Sequence, residues 1–240
     1  MQPAPSVTSA SWSVRDFVLV VLAGFAGGVL GAAAGFVASD IGTALVAGLA
    51  FQYGGNLVGL ALLLRTKGLS WHSLGLDLRT SDGRYLFLGF ALLIGLAVAF
   101  FPLASLLGLE SSGQAVAEVL PQSDGVAVRI LLVLGIALLA PLTEELMFRG
   151  VLLQALQARV SMRAALLWSA AIFALFHLLG ISGENPVAAA ALALPQLFLV
   201  GLVLGRLVRR HGRLGPAVFV HAGYNLIAVI LLLFALDLPI

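Results

Sequence analysis

Six long charge-free runs leave this chain little choice of solvent. Residues 17–39, 41–64, 85–109, 164–183, 185–205 and 214–236 contain no Asp, Glu, Lys or Arg, and each is close to the ~20 residues that a helix needs to cross hydrocarbon. A water-soluble core has no use for six of them. A seventh apolar stretch, 130–143, is shorter, but it continues through Pro141 into a segment ending near Arg159 that carries Glu144, Glu145 and Arg149. The expected fold is all-α: a polytopic transmembrane helical bundle of about seven spans, with eight as the alternative. The spans are expected near 17–38, 43–64, 86–108, 128–158, 163–182, 186–206 and 214–237. They form a single membrane domain, 17–240, behind a polar N-terminal segment, 1–16. No internal repeat is visible, and the longest polar connections, 65–85 and 109–127, are too short for soluble domains.

The placement of charge orients the bundle. Arg15, the group Arg65, Lys67, Arg79 and Arg84, the pair Arg159 and Arg163, and the cluster Arg206, Arg209, Arg210 and Arg213 account for 11 of the 13 basic residues. They occupy the N-terminus and every second loop. The other connections hold Asp40, Glu110, Glu118, Asp124, Glu184 and Asp237, with Arg129 as their only basic residue. By the positive-inside rule the N-terminus is cytoplasmic and the C-terminus outside, which requires an odd number of spans. The first apolar run exceeds the 7–15 residues of a signal-peptide core and reads as a retained helix. The expected location is a cell membrane, multi-pass, with lipid as a constant partner. A composition rich in Ala, Gly and Leu, with Arg far above Lys, points by association to a prokaryotic inner or plasma membrane.

Composition also excludes chemistries. With no cysteine there is no thiolate nucleophile, disulfide or Cys-ligated metal. The net charge of +2 comes without a basic patch interleaved with aromatics, so no nucleic-acid partner is expected. In the first span Gly24/Gly28 and Gly27/Gly31/Gly35 are small residues four apart, a spacing that lets helix backbones approach closely. Trp71 and Tyr85 sit where interfacial rings anchor.

Ionisable groups inside hydrocarbon cost about 2.5–3.5 kcal/mol each on insertion scales, so they are candidates for function. They are Glu144, Glu145 and Arg149 in span four, His177 in span five, and His221 in span seven, where Asn225 is a polar neighbour. Glu145 and Arg149 are four apart and share a helix face, while Glu144 is rotated by about 100°. Arg149 can therefore neutralise Glu145, leaving Glu144 free to face another helix as a general base. Pro141 lacks an amide proton and obstructs the carbonyl of Ala137, which predicts a kink or a freed acceptor. Phe173 and His177 are four apart, so the ring can limit the imidazole's rotamers; His221 and Asn225 repeat that spacing. Counting from the basic anchors at ~1.5 Å per residue, Glu144, His177 and Asn225 come to depths of roughly 22, 21 and 18 Å, and His221 to about 12 Å. Gln52, Asn56 and Gln196 read as interhelical amides.

The motifs Glu144-Glu145-x-x-x-Arg149, Phe173-x-x-x-His177 and His221-x-x-x-Asn225, each on its own span, resemble those of the CPBP family of CAAX-processing and bacteriocin-immunity intramembrane proteases, also called the Abi or type II CAAX prenyl endopeptidase group. Leu74-Gly75-Leu76 after Trp71 adds to the likeness. The motif-bearing helices lie in 127–240, and the first 126 residues are similar mainly in hydropathy. The resemblance implies a glutamate-dependent endopeptidase. Glu144 and His177 would activate a water, His221 and Asn225 would stabilise the oxyanion, and Glu145, Arg149 and Phe173 would support them.

The implied partner is a peptide or membrane-anchored protein substrate, cut near the cytoplasmic leaflet. The family is described both as metalloprotease-like and as metal-independent. If a zinc were held, Glu144, His177 and His221 would be its three ligands; the lack of His-Glu-x-x-His and the shallower count for His221 weigh against an obligatory metal. Two other classes compete. One is a non-proteolytic bacteriocin-immunity or regulatory binding protein, in which Glu144→Ala would keep function. The other is a proton-coupled transporter, which the lack of repeats and of paired broken helices disfavours.

Overall fold

A computed structural model describes residues 12–37, 40–108, 125–181 and 185–234. Among these, seven helical segments are long and apolar enough to cross a membrane, built on α1 (Val14–Gly35), α2 (Ile41–Lys67), α3 (Leu86–Leu106), α4 (Val126–Gln157), α5 (Met162–Phe176), α6 (Pro186–His211) and α7 (Gly215–Leu233), with the third span beginning at Thr80 and the fifth running on to Gly180. Seven spans is the number expected. Short 3₁₀ turns, Trp71–Leu74 and Thr80–Tyr85, fill the connection before α3, and another, His177–Gly180, extends α5. The acidic loop residues Glu110, Glu118, Asp124, Glu184 and Asp237 lie outside the described residues, as do residues 1–11 of the polar N-terminal segment.

Helix ends follow local chemistry. Ser13 and Asp16 form a reciprocal capping box at the start of α1, satisfying two of the amides that a first turn leaves unpaired. Asp40 caps α2 through the Thr43 amide at 2.9 Å. Gly68 and Gly212 end α2 and α6 in the left-handed region, at φ 65° and 68°, where a Cβ is disfavoured.

The small residues of α1 do what their spacing predicts. Gly24, Gly27 and Gly31 are buried; a Cβ on Gly27 would fall on the carbonyl of Phe51, and one on Gly24 on the Asn56 side chain. α1 and α2 therefore pack backbone to backbone, which sets where the middle of α2 stands against the rest of the bundle.

The basic loops converge at one end of the bundle. Lys67 pairs with Asp16 at 3.1 Å, joining the end of α2 to the start of α1. Arg213 grips Asp82 with both terminal nitrogens, one at 2.7 Å, and donates to the Asp77 carbonyl at 3.1 Å. The Leu214 amide donates to the Gly75 carbonyl at 2.8 Å, so the Leu74-Gly75-Leu76 segment is stitched to the loop before α7. Tyr85 meets His211 across the same end, 3.1 Å between the hydroxyl and Nε2. Large apolar side chains such as Leu22, Phe25, Phe87 and Val98 point outward, while Glu145, Arg149, Asn56, Gln196 and His221 are buried. Burial of the polar groups with exposure of the apolar ones is the arrangement that a lipid solvent favours.

Candidate functional site

α4 is built irregularly. Two π-helical segments, Gly135–Leu139 and Leu146–Leu152, flank a single α-helical stretch, Ala140–Glu145. Such wide turns are rare and are frequently found at functional sites. Pro141 explains part of the irregularity. In a π turn each amide bonds the carbonyl five residues back, as the Ala140 amide does to Gly135. The next amide in that ladder would be that of residue 141, bonding Ile136, and proline has none. The freed carbonyl is thus that of Ile136, one residue from the Ala137 expected of a regular helix, and the Asn225 side-chain amide donates to it at 2.9 Å. Asn225→Ala should cost about 1 kcal/mol, the scale of interhelical hydrogen bonds in membranes. Pro141→Ala in that background, by restoring an N–H, should recover it, as read from unfolding midpoints in detergent.

The adjacent carboxylates separate as their 100° offset predicts. Glu145, fully buried, accepts from Arg149 at 2.9 Å and from His221 Nδ1–H at 3.1 Å. Arg149 also donates to the Gly201 carbonyl at 3.1 Å, and its guanidinium lies 4.5 Å from the centroid of the Phe173 ring, close enough for cation–π attraction. Glu144 faces away from this pair, towards α2, α5 and α7. Its Oε1 accepts from the Tyr53 hydroxyl at 2.9 Å, and its Oε2, buried and without a hydrogen-bond partner, stands 3.9 Å from His177 Nε2 and 3.8 Å from His221 Nε2.

Phe173 is the hub that holds the imidazoles. Its ring centroid is 4.7 Å from that of His177 and 5.7 Å from that of His221, both edge-on, and its carbonyl accepts from His177 Nδ1–H at 2.9 Å. Chemistry settles the proton positions. Nδ1 of each ring faces an oxygen that can only accept, so Nδ1 carries a proton in both. In a neutral ring Nε2 is then bare, and both Nε2 atoms face the Glu144 Oε2. Three lone pairs converging on one point call for something that offers protons or positive charge between them.

The count that left His221 some 10 Å shallower than Glu144 is corrected by this geometry. Between Glu145 and Arg159 the chain runs through a seven-residue π segment and leaves the helix after Gln157, so 1.5 Å per residue overstates the depth of Glu144. All four motif residues of the expected catalytic set, Glu144, His177, His221 and Asn225, line one cavity of about 300 Å³, whose remaining wall is largely aliphatic.

Tyr53 is the residue that sequence reading passed over. It stands 12 residues inward of Arg65, roughly 18 Å deep by the helical rise, where an interfacial role cannot account for a hydroxyl. That depth was the available signal. The carbonyls of Ile136 and Gly201 had no signal beyond Pro141.

A zinc held by Glu144, His177 and His221 would need its ligand atoms closer together than they stand. Ligands at 2.0–2.1 Å in tetrahedral array lie about 3.4 Å apart, less than the 3.8 and 3.9 Å measured from Glu144 Oε2 to the imidazoles. Among the described residues no group of three or more His, Cys, Asp or Glu is placed to hold an ion.

Fold and site together define a polytopic helical membrane protein with a carboxylate–imidazole centre inside the bundle. Residues 126–227 match the family model described as "Type II CAAX prenyl endopeptidase Rce1-like". The segment that carries every motif residue from Glu144 to Asn225 is thus similar to the CPBP/CAAX protease family, as the motifs implied. No curated protein and no solved structure matches the chain.

Proposed function

We propose that this protein is a glutamate-dependent intramembrane endopeptidase that hydrolyses a peptide bond in a membrane-associated or peptide substrate, near the cytoplasmic leaflet of a cell membrane. The observation that carries this reading is the partnerless Glu144 Oε2 facing two imidazole Nε2 atoms, beside a cavity in a chain whose residues 126–227 match the model of a protease family.

A water held beside Oε2 donates one proton to Glu144 and the other to the bare Nε2 of His177, at ordinary ~2.8 Å hydrogen-bond distances. Glu144 takes its proton while His177, fixed in orientation by Phe173, directs the oxygen lone pair at the carbonyl carbon. The proton then passes to the leaving amine, as in general acid–base catalysis. His221 serves the developing oxyanion when its Nε2 carries a proton taken from solvent before the substrate binds, and Glu145, accepting from Nδ1–H, fixes the orientation of the ring. Asn225 has two amide protons and spends one on Ile136, so the second is available to the oxyanion; one such donor is worth about 2.7–4 kcal/mol. Hydrolysis by Asn225→Ala should therefore stay depressed even where Pro141→Ala has restored stability.

The aliphatic cavity wall supports an apolar segment in the substrate. Comparing membrane proteomes from cells with the native protein and with Glu144→Gln tests the reading: a cleavage product specific to the native form supports it and names the substrate. We further propose that no metal is obligatory. Activity of the purified protein should survive chelation, and activity that follows one bound zinc would overturn this.

A further inference from the structure

We propose that Tyr53 is a positioning residue for Glu144, a part of the hydrolytic centre contributed from outside the matched family domain; the proposal rests on the reading of Glu144 as the base. Tyr53 is 91 positions from Glu144 in the chain, on α2, and its hydroxyl donates to Oε1 at 2.9 Å. No other hydrogen-bond donor contacts that carboxylate among the described residues, since Oε2 has no partner and the two imidazoles stand beyond hydrogen-bond distance.

The terminal torsion of a glutamate is broad and roughly two-fold, so a carboxylate with no donor would present either oxygen, at varied angles, to the imidazoles. A single donor on Oε1 removes that freedom and leaves Oε2 as the oxygen aimed at His177 and His221. Placement of the donor is in turn fixed by α1. Gly24, Gly27 and Gly31 seat α1 against Asn56, Phe51 and Gly48 of α2, on both sides of Tyr53 in the chain. The first helical hairpin carries none of the three motifs, yet it holds a hydroxyl at the depth of the carboxylate and so takes part in the centre.

Tyr53→Phe keeps the ring and removes only the hydroxyl. With an internally quenched peptide bearing an apolar anchor, in proteoliposomes, kcat should fall about 10- to 100-fold, the factor carried by a hydrogen bond to a charged group, while KM and the unfolding midpoint stay native. Native kcat overturns the proposal, as does a loss that tracks a lowered midpoint or appears only in KM. Infrared spectroscopy supplies a second readout that needs no turnover. The carboxyl band assigned to Glu144 by its absence in Glu144→Gln should move in Tyr53→Phe, and an unmoved band overturns the proposal. Cleavage by Glu144→Gln at the native rate, or none by the native protein, would instead count against the proposed function, with the infrared band still deciding the Tyr53 contact.

Discussion

Glu144→Gln should lower kcat by about 10²–10⁴-fold, the range that a positioned general base contributes, and leave the unfolding midpoint in detergent unchanged. The substitution is nearly isosteric. A Gln oxygen can still accept from Tyr53, and the amide nitrogen can donate towards the bare Nε2 atoms that face Oε2 in the native site. Packing and polar satisfaction are thus preserved while the proton acceptor is lost. Because Glu145 and Arg149 form the neighbouring ion pair without Glu144, the fold does not depend on this carboxylate. Full activity in the variant would sink the mechanism, and a collapsed midpoint would show that Glu144 is structural.

The opposite pattern is expected at Arg149. Its side chain is fully buried, joins Glu145 to the Gly201 carbonyl, and lies against the face of Phe173. Arg149→Met keeps much of the volume but strands the Glu145 carboxylate in a medium that cannot solvate it. Breaking one side of a buried pair costs about 3–5 kcal/mol, which should show as a large drop in the unfolding midpoint. Adding Glu145→Leu removes the stranded charge and should recover much of that stability, since replacing a whole buried pair with apolar residues is often neutral. Hydrolysis should not recover, because His221 Nδ1 then has no carboxylate beside it. A double variant that regains both would reduce the pair to a lock on α4 with no part in the site.

Different parts of the molecule were legible to different degrees. The spans could be read because a bilayer requires long apolar helices, and their lengths follow from its thickness. The Glu145–Arg149 pair could be read because it is local: four residues apart on a helix is a contact distance that survived even where α4 turns into a π-helix. His177 and Phe173 are the same case. His221 against Glu144 was not legible as a contact, because straight-helix counting put them at different depths and takes no account of the π segment in α4, of helix tilt or of side-chain length. Tyr53 was harder still, since nothing near it in the chain marks it and its partner is on another helix.

The sequence by itself determined that this chain belongs in a membrane, how many times it can cross, which carboxylate is paired, and which four polar residues could share a site. These are properties of composition and of contacts within one helical turn. Only the tertiary structure decided that Oε2 of Glu144 faces two imidazoles, that Asn225 takes the carbonyl released by Pro141, and that a tyrosine from α2 reaches the base. Each depends on how far one helix is rotated and shifted against another. That is set by packing, by glycines such as Gly27 that admit a neighbouring backbone and by turns that depart from 3.6 residues, and it leaves no periodic trace in the order of residues.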